Sequence, residues 1–258
     1  MKNNNEHQKF IEFQFSIIAD FFKDLDRQGP CSKEVTKLAL QLVGALPVNA
    51  KIADIGCGTG GQTITLANST QASITAVDIM PEFIEKLNNK IAKLGLQDRI
   101  ATITGSMDNL PFSENELDLI WAEGSIYNIG YENGLKYCRK FLKDGGYIAV
   151  SEASWFTLDR PKEIEEFWAS NYSGIDLISV KIDQMQQAGY LPVSHFVLPE
   201  STWWNYFNPM PALIPPFLER YGHSDIAKKF VSYLQHEIEL YRKHKKHYGY
   251  VFYIGQKI

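Results

Sequence analysis

The stretch that decides the fold is DIGCGTGG, from Asp54 to Gly61. It follows a short apolar run, residues 51–55, which reads as a strand, and precedes a helical stretch through Leu66 and Ala67. Closely spaced glycines let a backbone turn sharply and approach a ligand without Cβ clashes. A helix opening just after them aims its free N–H groups and the positive end of its dipole at whatever binds there. The residues also match G-x-G-x-x-G through Gly56, Gly58 and Gly61, a pattern that admits a nicotinamide or flavin enzyme. A tight turn without a ligand is the plain structural alternative.

Outward from this loop, strands and helices alternate. Residues 73–77 read as a second strand ending in Asp78, which stands 22 positions after Gly56, where an acid takes ribose hydroxyls in nucleotide-binding folds. A simple helix cap ahead of Pro81 is the other reading of Asp78. Pro81 opens a helix with Phe83, Ile84, Leu87, Ile91 and Leu94 on one face, and Gly95 stops it. Strands follow at 99–103, 117–122 and 147–151, with a helix at 131–142. A helix at 176–188, a strand at 191–198 and a closing strand in YGYVFYIGQK complete seven strands. This alternation predicts an α/β, doubly wound, mostly parallel seven-stranded sheet covered on both faces.

Residues 8–25 and 32–46 read as two helices ahead of the sheet, broken at Gly29-Pro30, with Ser32 as the N-cap of the second. The turn at residues 29–32 is a candidate to fold over a ligand. A single domain over 1–258 is expected: N-terminal helices 8–46, and a core of 47–153 plus 176–198 and 247–258. Insertions at 154–175 and 199–246 are expected to form a helical and aromatic lid over the sheet's carboxyl edge.

Composition removes several function classes. The chain has 258 residues and a formal net charge of -4, so no uniformly basic surface is present to hold nucleic acid. The run from Arg242 to His247 is one candidate basic patch, and a solvated helix end suits it better. Cys31, Cys57 and Cys138 have no metal-ligand spacing, and so sparse and odd a set points to a reducing compartment. No metal site is expected. With no apolar leader and no run long enough for a membrane span, the cytoplasm is the expected location. Oligomeric state is not legible.

Two further features bear on the ligand. Asp54 sits two residues before the first glycine, where an acid suits an ammonium group that S-adenosylmethionine has and a nicotinamide cofactor lacks. The second is GSMDNLPFSENELDLIWAEGS, residues 105–125. Residues 51–151, with an antiparallel seventh strand at the end, resemble class I S-adenosylmethionine-dependent methyltransferases, nearest the ubiquinone/menaquinone-biosynthesis type. The resemblance implies that Asp54, Gly56, Cys57, Gly58 and Gly60 form the methionine-side loop. It implies Asp78 on the ribose, with Ile79 and Met80 against the adenine. Ser106 and Met107 fall where the family borders the adenine, often with an acid; here the acid, Asp108, comes one place later. Leu110-Pro111-Phe112 and the strand after it match the family signature, and Glu123, Gly124 and Ser125 then line the transferred methyl.

The function so implied is transfer of a methyl group to a small-molecule acceptor by in-line displacement. Tyr127 is a candidate for cation–π contact with the sulfonium. A base is needed only for a protonated acceptor, and Glu123, Glu152 and His195 are the candidates. Trp155, Trp203, Trp204 and Tyr206 are candidates to wall an acceptor pocket. Two other readings stand beside this one: a cofactor-binding protein without transfer activity, and a nicotinamide-dependent oxidoreductase.

Overall fold

The computed structural model describes residues 16–258; the start of the first expected helix, residues 8–15, lies outside them. Residues 16–22 (α1) are helical, and the chain then turns through residues 23–31. Helix α2, Lys33–Leu42, opens on Ser32, whose Oγ accepts from the Val35 N–H at 3.2 Å. Such a cap is worth about 1 kcal/mol.

The sheet contains β1 (Lys51–Ile55), β2 (Ser73–Asp78), β3 (Ile100–Thr104), β4 (Leu117–Glu123), β5 (Leu142–Trp155), β6 (Asp176–Leu177), β7 (Tyr190–Val197) and β8 (Tyr248–Lys257). Their order is β3-β2-β1-β4-β5-β8-β7, with β6 paired to the end of β5. All pairings are parallel except those of β8, which runs antiparallel to both β5 and β7. The doubly wound sheet and its antiparallel last strand are therefore as expected. The strand number is not: β6 makes eight, because β5 runs past the expected end at Ser151 and leaves backbone at Ser154 and Trp155 for residues 176–177 to pair with.

The two faces follow from period-two alternation. Ile52, Leu119, Trp121 and Ala149 point to one side, under α2, α3 (Gly61–Ser69) and α4 (Pro81–Leu94). Ala53, Ile55, Ile120, Ala122 and Val150 point to the other, under α5 (Tyr131–Arg139) and α7 (Ile178–Gln187). Helix α4 starts at Pro81 and ends where Gly95, at φ +67, takes the left-handed conformation that closes a helix. Helix α5 stops three residues before Leu142, because Leu142 pairs with Leu117 and opens β5.

A third apolar cluster caps the carboxyl edge of the sheet. It is built from α1 and from α6 (Lys162–Asn171), α8 (Glu200–Phe207), α9 (Met210–Arg220) and α10 (Asp225–His244). Residues 201–217, rich in proline and aromatics, thus fall in two helices, with Pro215 and Pro216 inside α9. Trp203 stacks on Tyr241 with ring centroids 4.1 Å apart. The basic run at the end of α10 ties the lid together: Lys243 and His244 meet Glu163 of α6, and Lys245 meets Glu200 of α8. Among the described residues, no helix is long and apolar enough to cross a membrane.

Candidate active site

The strand order fixes where a ligand fits. The chain leaves β1 and β4 toward opposite sides, so a crevice opens at their carboxyl ends. A cavity of about 580 Å³ lies there, between the strand ends, the turn after α1 and the lid. β1 and β4 separate β2 from β5, which at about 4.8 Å per strand puts their ends about 14 Å apart.

At the β2 end stands Asp78, only 8% exposed. Its Oδ2 accepts the Gly58 N–H at 2.8 Å and its Oδ1 the Met80 N–H at 2.9 Å. Burial raises its pKa, and the N–H groups of Met80 and Gly58 oppose that rise. Asp78 thus ties the glycine loop to the start of α4. Gly56 has φ +71, and a Cβ there would sit 2.3 Å from Ser125 Cβ; at Gly58, φ +55, it would sit 2.0 Å from Gln28 Oε1. Ser125 and Gln28 thus fill the space a Cβ would take at these two positions, so the glycines let the loop pack tightly while its backbone lines the cavity.

Gly56, Cys57, Gly58, Asp78, Ile79, Met80, Ser106, Met107, Asp108, Glu123, Gly124 and Ser125 all line the cavity, as do Tyr127 and Glu152. Three expected residues do not. Asp54 is 0% exposed and sits behind the loop. Its Oδ2 accepts from Thr63 Oγ1 at 2.5 Å and its Oδ1 from Gln62 Nε2 at 3.4 Å, so it acts on the cavity through Gln62, which lines it. Gly60 faces α4, where a Cβ would meet Leu87 Cδ1 at 2.2 Å, so its role is packing. His195 is exposed on the edge strand β7. Its register, through Tyr253, Val150 and Ala122, is level with the carboxyl ends of β1 and β4, but β5 and β8 stand between it and β4, so it lies to the side of the cavity. Of the four expected wall aromatics, Trp203 and Tyr206 line the cavity and Trp155 and Trp204 do not.

Burial pushes the Asp54 carboxyl up to about 7; the Thr63 hydrogen bond opposes this and nearby Glu123 adds to it. A raised carboxyl stabilises the fold fully below its unfolded value, near 3.8, and that share is lost as pH rises through about 7. Asp54→Asn should therefore shrink the fall in stability between pH 5 and pH 8, measured by denaturant melts. An unchanged fall would contradict it.

Glu123 was a candidate base, and the structure gives it another task. Arg27 Nη1 pairs with its Oε1, while Thr36 Oγ1 and Trp121 Nε1 donate to Oε2 at 2.9 and 3.2 Å. A carboxylate so fully engaged orients Arg27 rather than accepting a substrate proton. Arg27 itself was missed from sequence, although it lines the cavity beside Gly29, Pro30 and Cys31 of the expected covering turn. Gln28 locks that turn to the loop by accepting the Thr59 N–H at 2.9 Å and donating to Thr59 Oγ1 at 3.1 Å. Glu237 of α10 was also missed. It stands three residues after Leu234 and four before Tyr241, so an acid on an apolar helix face was the available signal.

Residues 52–146 match the model of a family described as a methyltransferase domain. The resemblance read from residues 51–151 is thereby borne out. The 27-O-demethylrifamycin SV methyltransferase of Amycolatopsis mediterranei is 25% identical over 49% of this chain and 48% of its own length. A ubiquinone/menaquinone biosynthesis C-methyltransferase of Geotalea daltonii is 30% identical over 56% of this chain and 63% of its own. The chain thus spans about half to two thirds of these relatives. A SAM-dependent methyltransferase from Geobacter sulfurreducens, solved with S-adenosyl-L-homocysteine, superposes with a TM-score of 0.82 at 17% identity, covering 94% of this chain and 98% of that one. The fold is the Rossmann-like methyltransferase fold.

Proposed function

We propose that the protein is an S-adenosylmethionine-dependent methyltransferase acting on a small-molecule acceptor. One observation carries this reading: a single cavity runs from Asp78, past the backbone of the glycine loop, into an aromatic chamber under the lid. In that frame Asp78 takes the ribose hydroxyls. Ile79 and Met80 lie against one face of the adenine, and Ser106, Met107 and Asp108 border its edge. Gly56, Cys57 and Gly58 pass along the amino-acid part, and Arg27, held by Glu123, takes its carboxylate.

When bound, S-adenosylmethionine supplies an electrophilic sulfonium methyl group. Gly124 and Ser125 are fixed beside its expected position, since Gly124 N–H donates to Ser151 Oγ at 2.8 Å and Ser125 Oγ donates to Ile55 O at 2.7 Å. Tyr127 offers a ring face to positive charge, worth about 0.5–2 kcal/mol. The lid keeps water out and holds the acceptor in line with the methyl, and alignment of this kind supplies a large part of a rate enhancement. The relatives' small-molecule acceptors and the acidic net charge favour a small acceptor over nucleic acid, and a cytoplasmic setting suits three free cysteines.

Calorimetry with S-adenosylhomocysteine and with NADH tests the reading. The homocysteine nucleoside should bind with micromolar or better affinity and NADH should not. The reverse order would overturn the proposal.

A further inference from the structure

The far half of the cavity carries charge that the cofactor reading leaves unused. Glu152, near the end of β5, is 1% exposed and lines the cavity; neither Oε1 nor Oε2 completes a well-formed hydrogen bond, the nearest hydroxyl being that of Tyr172 on the same wall. Lys181 Nζ, equally buried, stands 3.9 Å from Oε1 but donates to Gly174 O at 2.7 Å. Glu237, half-buried, enters the same chamber from the lid among Tyr206, Tyr233 and Tyr250, and makes no ion pair or hydrogen bond among the described residues. Burial pushes both carboxyls up to about 7; at Glu152 the Lys181 ammonium and the Tyr172 hydroxyl oppose the rise, and at Glu237 nothing does.

The charge balance is one-sided. Among the described residues lining the cavity, Arg27 is the only cation, and Glu123 already pairs with it. A neutral acceptor would leave Glu237 without a donor and Glu152 with only Lys181, 3.9 Å away, and the Tyr172 hydroxyl to offset its charge, and an anionic one would add repulsion. A cation satisfies both acids and also the tyrosine faces, which attract positive charge.

We infer that the acceptor is a small amine, bound as its ammonium between Glu152 and Glu237 within the tyrosine-walled chamber, and that its nitrogen is the atom methylated. The inference rests on the cofactor reading above. An ammonium has no lone pair, so one N–H proton first passes to a facing carboxylate. The freed pair then forms the N–CH₃ bond as the S–CH₃ bond breaks, its electron pair staying on sulfur.

The test is calorimetry on the full chain saturated with S-adenosylhomocysteine. The probes are propylamine, benzylamine and phenethylamine, each beside the alcohol and the carboxylate of matching size. At least one amine should bind tenfold or more tightly than its alcohol, and the carboxylates should not bind. Glu237→Gln should weaken that amine at least tenfold, leave the alcohol unchanged and leave S-adenosylhomocysteine affinity intact. Glu152→Gln serves as the second variant should the first misfold. Alcohols or carboxylates binding as tightly as amines would overturn the inference, as would no amine binding to a protein that holds S-adenosylhomocysteine. Loss of S-adenosylhomocysteine binding in the unmodified protein would instead sink the cofactor reading, and this inference with it.

Discussion

Asp78→Ala should weaken S-adenosylhomocysteine binding ten- to a hundredfold. Hydrogen bonds to a charged group contribute about 1.5–3 kcal/mol each, and each 1.4 kcal/mol is tenfold in affinity. Asp78 does two things at once: it presents a carboxylate at the β2 end, and it anchors Gly58 and Met80 through their N–H groups. Losing it removes the ribose acceptor and loosens the loop on which the amino-acid part lies. Asp78→Asn separates the two roles, since an amide oxygen can still accept from one of these N–H groups while the charge is gone. Calorimetry should rank wild type above Asn above Ala, with melting temperatures confirming folded protein. Equal affinity in all three would remove Asp78 from the site.

Arg27→Met should cost about 3–5 kcal/mol of stability, because it strands the Glu123 carboxylate where almost no water reaches it. For a chain of this size that corresponds to roughly 6–20 °C in melting temperature, at about 2–4 °C per kcal/mol. Adding Glu123→Gln to Arg27→Met should restore a large part of that loss, since no buried charge is then left unpaired. Affinity for S-adenosylhomocysteine should not return with it, since the guanidinium that takes the ligand carboxylate is still missing. A double variant that regains both stability and affinity would show Arg27 to be structural alone. Purely additive losses would show that the two side chains do not depend on each other.

What was readable in the chain was what local rules govern. The glycine loop, Asp78 at a strand end, the Ser32 cap and the Pro81–Gly95 bounds of α4 each follow from backbone chemistry within a few residues. The parallel sheet followed from alternation. Arg27 was hidden because its meaning depends on a partner 96 positions away. Asp54 read as a ligand contact from its neighbourhood, yet its strand position turns it inward to Thr63 and Gln62. His195 was misjudged across the sheet: it does lie near a carboxyl strand end, but strand order cannot be read from composition, and β7 is the edge strand, with β8 and β5 between it and β4. Helix α9 escaped because Pro215 and Pro216 lie inside it and mask the apolar period that marks a helix.

A crystal structure of the full chain with S-adenosylhomocysteine tests the central claim most directly. The account predicts both ribose hydroxyls within hydrogen-bond reach of Asp78, the sulfur beside Gly124, and open space from the sulfur toward Glu152 and Glu237. A nucleoside bound outside this crevice, or one whose ribose faces solvent while Asp78 keeps only its backbone partners, would contradict it.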